Sequence, residues 1–99
     1  LWAVEQPDAA GYTHLALAGC SAVAALVPAD DVRRGYVLAQ SARALRTLGA
    51  LEAARERYEV SERMGQRHRD RWLRVRSVTG LGATHHQLGN YPAAREVFE

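Results

Sequence analysis

Ninety-nine residues bound the chain to one small domain. Apolar residues make up 47% of it and only three prolines appear, which excludes a disordered chain and favours helix over strand. The formal net charge is +2, all 13 basic residues are arginine, and a single cysteine, Cys20, excludes an internal disulfide and a multi-cysteine zinc site.

Leu1 to Glu5 reads as the end of a preceding helix, and Pro7-Asp8 opens the next, running to about Leu26. Ala9 to Ala29 carries no formal charge over 21 residues, enough to span a bilayer. Gly11, Thr13, His14, Gly19 and Ser21 dilute it, and Glu5 and Asp8 precede it instead of basic residues. It is therefore read as a helix buried between neighbours, with Cys20 a small buried hydrophobe. Asp30-Asp31 caps a second helix that ends at Leu48-Gly49. Leu51 begins a third, ending near Met64-Gly65. A fourth starts around His68 to Asp70 and ends at Leu88-Gly89. Asn90-Tyr91-Pro92 starts a fifth, with the proline in the first turn, where its missing N–H costs little.

Apolar spacing gives each helix a packed face. Leu38, Ala42, Leu45 and Leu48 form it on the second helix, and Leu51, Ala54, Tyr58 and Ser61 or Met64 on the third. Trp72, Val75, Val78, Gly82 and Leu88 form it on the fourth. The fold class is all-α, and connections of two to five residues make neighbouring helices antiparallel.

The chain repeats itself. Shifted by 40 residues, the twelve residues from Leu48 to Glu59 fall on Leu88 to Glu99 with seven identities, and Tyr58 meets Phe98. The same shift pairs Leu38 with Val78, Ala42 with Gly82 and Val32 with Trp72. Each type has a mechanical task. Leucine packs the helix end, glycine turns the chain, and Ala54 and Ala94 let two helices approach closely. Tyr58 and Phe98 fill the space between pairs.

On Ala42, Leu45, Leu48-Gly49, Leu51, Ala54 and Tyr58, and again on Leu81-Gly82, Leu88-Gly89, Tyr91, Ala94 and Phe98, the chain resembles the tetratricopeptide repeat family. The resemblance covers about Asp30 to Glu99. A period of 40 exceeds the family's usual ~34 and is similar to longer-period repeats of bacterial regulators. The implied organisation is a single helical domain over 1–99: an N-terminal helical unit at 1–29, a first repeat at 30–69 and a second, truncated one at 70–99. Ala16 is the expected close-packing residue of the first unit. The chain lacks an initial methionine and stops at Glu99 within a helical pattern, so it reads as a piece of a longer bacterial, cytoplasmic array.

The resemblance implies a right-handed α-solenoid whose concave groove binds a peptide or helix of a protein partner. Carried over position by position, the groove comprises Tyr36, Ala39, Arg43, Arg46 and Thr47 from the first repeat. Arg76, Thr79, Ala83, His86 and Gln87 come from the second. Its arginines favour acidic ligands. Ala39 and Arg43 stand where the family's C-terminal carboxylate clamp wants lysine and asparagine, so that specificity is not expected.

Rival signals are weaker. Glu62 to Arg76 holds six arginines against two acids, a local charge of +4, and could meet nucleic-acid phosphates. The run from Arg63 to Arg76 has no aromatic platform beyond Trp72, which is assigned to the core. Adjacent His85 and His86 point about 100° apart on a helix and cannot share a metal as an i, i+4 pair would. No nucleophile motif or phosphate-cradling loop is present. The expectation is a binding scaffold, not an enzyme, with no metal or cofactor, no membrane role, and nucleic acid as the runner-up partner. An open repeat end would leave apolar surface for self-association.

Overall fold

The computed structural model describes residues 9–98, with the side chains of 9, 10, 12, 91, 94 and 98 outside the described set. The described chain is five helices and no strand: α1 Ala9–Leu26, α2 Val32–Thr47, α3 Leu51–Arg67, α4 Arg71–Gln87 and α5 Tyr91–Phe98. The readings of Leu1 to Asp8, and the expected burial of Ala94 and Phe98, lie outside the described residues.

The chain's own punctuation sets the helix ends. Asp31 stands at the N-cap of α2 in extended conformation and accepts the Arg33 N–H at 2.9 Å. Asp70 does the same for α4, accepting the Leu73 N–H at 3.0 Å. These carboxylates satisfy first-turn donors that have no partner within the helix. At the other end, α2, α3 and α4 close alike. The Ala50 N–H reaches the Leu45 carbonyl at 2.9 Å, Asp70 reaches Gly65 at 2.9 Å and Asn90 reaches His85 at 2.9 Å. This six-to-one bond requires a left-handed residue just before it. Gly49 (φ +84°) and Gly89 (φ +80°) supply two of the three. Arg69 (φ +53°) supplies the third, where no glycine is available. Helix α3 therefore runs on to Arg67, past the expected stop at Met64-Gly65, because Gly65 is a buried helical residue.

Helix α2 packs on α3, α3 on α4, and α2 also touches α4 directly. Helix α1 leans on α2 and α5 on α4. The molecule measures 46 × 34 × 19 Å. Its thickness is about two helix diameters of ~10 Å, so the helices form two layers. The core lies where α2, α3 and α4 meet, around Ala42, Tyr58, Met64, Leu73 and Leu81. Ala54 is fully buried, as its close-packing role requires. Tyr58 lies against α4 so closely that a Cβ added at Gly80 would stand 2.2 Å from two of its ring carbons. Between α3 and α4, the Ser61 and Ser77 hydroxyls meet at 2.8 Å with no exposure, and Ser61 also donates to the Tyr58 carbonyl at 3.0 Å.

Four expectations are corrected. On α4 the buried face is Leu73, Ser77, Gly80, Leu81, Gly82 and Thr84; of the expected stripe Gly82 is buried and Val78 and Leu88 are half-buried. Trp72 is 78% exposed and Val75 is exposed. At Gly80 the Tyr58 ring of α3 leaves no room for a side chain, while Leu73 and Leu81 fill the rest of the face beside Ser77 and Thr84. Helix α1 is not sandwiched: it packs only on α2 among the described residues, and Leu15, Val23 and Leu26 are exposed. Ala16 is exposed and Cys20 only partly covered. Ala39 is buried in the core and lines no groove. No described helix is long and apolar enough to cross a membrane.

Candidate functional site

The Tyr36 hydroxyl, on the second turn of α2, donates to Asp70 Oδ1 at 2.8 Å, at the start of α4. Near the other ends, Arg46 Nη1 donates to Gln87 Oε1 at 3.2 Å. These two ties fix α2 and α4 side by side, running in the same direction. Helix α3 lies behind them.

The cleft between α2 and α4 is an open hollow of about 480 Å³. Helix α2 contributes Tyr36, Arg43 and Arg46, and α4 contributes Trp72, Val75, Arg76, Thr79 and Ala83. Tyr58 of α3, 3% exposed, forms the floor beside Gly80. Of the ten expected groove residues, Tyr36, Arg43, Arg46, Arg76, Thr79 and Ala83 thus meet in one place. Thr47 lies elsewhere: it donates to the Arg43 carbonyl at 3.0 Å and lines a shallow hollow toward α1. Gln87 stands at the rim as Arg46's partner, and His86 is exposed on the last turn of α4.

Charge is segregated. Helices α2 and α4 hold seven arginines (Arg33, Arg34, Arg43, Arg46, Arg71, Arg74 and Arg76) and no carboxylate. Two of these serve the fold. Arg33 pairs with Asp31 at 2.6 Å, and Arg34 donates to the Ala24 and Val27 carbonyls at the end of α1. Arg43, Arg46 and Arg76 form no ion pair among the described residues. The acids of α3 are partly spent on its own arginine, since Glu52 and Glu59 both pair with Arg55. Burial, and then the bond to Asp70, raise the Tyr36 phenol above its ordinary pKa, so it stays a neutral donor. Asp70 is held below the ordinary carboxylate range by the Leu73 N–H and then by Tyr36.

The sequence reading missed Trp72, Val75 and Tyr58 as site residues, because all three were assigned to packing. A signal was present: counting Ser77, Gly80 and Thr84 as inward-facing small residues completes a stripe from Leu73 that leaves Trp72 outside. The rival basic run is dispersed. Arg67 is tied to Asp30 at 2.5 Å, Arg76 turns into the cleft, and Arg69, Arg71 and Arg74 flank a separate hollow. Among the described residues no group of three metal-binding side chains occurs. Compared with family models, curated proteins and solved structures, the chain has no match.

Proposed function

We propose that the chain is a protein-interaction scaffold of the tetratricopeptide type, built as a right-handed solenoid, that binds an acidic peptide segment in the cleft between α2 and α4. It acts by binding and not by catalysis. The observation that carries this reading is the convergence of Arg43, Arg46 and Arg76, without an ion pair among the described residues, with exposed Trp72 and the buried Tyr58 in one cleft. Tryptophan, tyrosine and arginine dominate the binding energy of protein interfaces. A cleft without carboxylates favours an acidic occupant. The solenoid reading is supported by first-helix-to-first-helix contact between α2 and α4, with α3 touching both, and by matching turns at Gly49 and Gly89.

The exposure of Trp72 also favours the runner-up, a nucleic-acid module, since an aromatic face beside arginines can stack a base. One experiment separates the two. A labelled acidic peptide pool and a labelled single-stranded oligonucleotide are titrated against the parent chain, Arg43→Glu/Arg46→Glu/Arg76→Glu and Arg67→Gln/Arg69→Gln/Arg71→Gln. Peptide affinity falling at least about tenfold in the first triple variant and holding in the second supports the scaffold. This corresponds to about 1.4 kcal/mol. Oligonucleotide binding lost only in the second supports the rival. No peptide binding by the parent chain sinks the scaffold reading.

A further inference from the structure

Helices α2 and α4 end in the same way. The Ala50 N–H meets the Leu45 carbonyl and the Asn90 N–H meets the His85 carbonyl, both at 2.9 Å, beside Gly49 and Gly89 with positive φ. Each also packs on the helix before it and the helix after it: α1 and α3 for α2, α3 and α5 for α4. They differ in one neighbour. Helix α2 carries α4 along its side, and among the described residues α4 carries no helix in the corresponding place.

The uncovered strip of α4 can be located from α2. A Cβ at Gly35 would stand 2.5 Å from Leu73 Cδ2 of α4, and Ala39, one turn on, is 2% exposed. Forty residues later Val75 is 53% exposed and Thr79 is exposed too. With the half-buried Val78, these two line a hollow bordered by Arg71 and Arg74. At about 100° per residue, Arg74 and Val78 fall on one side of Val75 and Arg76 on the other. Val75 and Thr79 therefore form a ridge, with the cleft on its α2 side and this hollow beyond it.

The charge around the strip is of one sign. Arg69, Arg71 and Arg74 flank it or the hollow beside it, and none of them forms an ion pair among the described residues. The acids of this corner are engaged: Asp70 accepts the Leu73 N–H and the Tyr36 hydroxyl, and Glu62 accepts from Gln66. A second copy presenting its own α4 would set arginines against arginines. Helix α1, which also exposes apolar side chains, has no carboxylate to offer them.

We propose that this face of α4 is a second docking surface, separate from the cleft. Its occupant is an amphipathic helix of a partner protein, with an apolar stripe over Val75 and Val78 and flanking carboxylates that reach Arg71 and Arg74. The occupant is a helix because a helix fills the corresponding place on α2. Burial of the stripe holds it, and the arginines select an acidic partner over a basic one. The proposal goes beyond the cleft and does not depend on what the cleft binds.

The test uses fluorescein-labelled, acetylated and amidated helical peptides of about five turns with leucines along one face. One carries glutamates beside the stripe, one carries lysines there, and one is a scramble of the glutamate peptide. Anisotropy is read on the parent chain, on Arg71→Glu/Arg74→Glu and on Arg43→Glu/Arg46→Glu/Arg76→Glu. Arg71 and Arg74 are exposed, and glutamate near the start of α4 suits the helix, so the double variant should fold. The parent is expected to bind the glutamate helix at least about tenfold more tightly than the other two. The double variant should lose that preference and bind the lysine helix instead, while the cleft variant keeps the parent's affinity. Loss in the cleft variant places the helix in the cleft and overturns the second surface. Equal binding of the three peptides, or binding of none, overturns it as well. A parent chain that sediments as a dimer, and as a monomer after Arg71→Glu/Arg74→Glu, gives the face to a second copy and overturns the partner.

Discussion

Two aspartates carry an outsized share of the organisation, and both do so as carboxylates. Asp31 holds the first turn of α2 and is clamped by Arg33 through Nε at 3.0 Å and Nη2 at 2.6 Å. Asp70 holds the first turn of α4 and accepts the Tyr36 hydroxyl from α2, so it joins one helix pair to the next. The side-chain and backbone bonds from Arg33 lower the Asp31 pKa to about 2. Asp70 is lowered too, by the Leu73 N–H first and Tyr36 second. A carboxylate depressed on folding contributes stability that is present above the unfolded value of about 3.9 and is lost as pH falls through the folded value. Thermal melts from pH 5 to pH 2 should therefore show Tm dropping between about 4 and 2. Asp31→Asn and Asp70→Asn should start from a lower Tm at pH 5 and fall less steeply. An unchanged slope in both variants would show that these bonds are not made in solution.

The helices share one way of stopping, and it is met with two different chemistries. Gly49 and Gly89 take the left-handed conformation without a steric cost, whereas Arg69 takes it with a Cβ. Arg69→Gly is expected to stabilise the chain by on the order of 1 kcal/mol, since the relief of the left-handed strain exceeds the added freedom of the unfolded chain. Urea unfolding would register it as a higher midpoint at constant slope. Destabilisation would mean that the Arg69 side chain supports the corner. The same elements show what the sequence disclosed. Caps and turns were legible because Asp31, Asp70, Gly49 and Gly89 act through local backbone chemistry that neighbours cannot override. The faces of α1 and α4 were not. On α4 the large apolar residues Trp72 and Val75 face outward while Ser77 and Thr84 face inward, so polarity and burial part company. The close approach of α3 decides this, through Tyr58 against Gly80, and no local pattern encodes that distance. Six of the cleft residues were found through the family resemblance, but Trp72 and Val75 depended on the face of α4 and were lost with it.

Across the molecule, contacts run mainly between consecutive helices. Helix α3 is covered by α2 and α4, while α1 and α5 each rest on one neighbour among the described residues. In the proposed solenoid, stability is a sum of unit and interface contributions. Amide hydrogen exchange should therefore be slowest around Tyr58, Ser61 and Met64, and faster in α1 by a factor on the order of a hundred. Uniform protection through α1 would contradict the serial picture. The turns at Gly49, Arg69 and Gly89 lie twenty residues apart, and from α2 onward each helix reaches the next across a three-residue connection, with five residues between α1 and α2. Among the side-chain hydrogen bonds of the described residues named above, the widest, Arg46 to Gln87, closes only 41 residues. Little entropy is lost in bringing such near partners together, so assembly has no slow search for a distant strand or helix to wait on. Order can start at the α3–α4 corner and spread outward one helix at a time, and heat should take it apart by the reverse route, peeling from the ends.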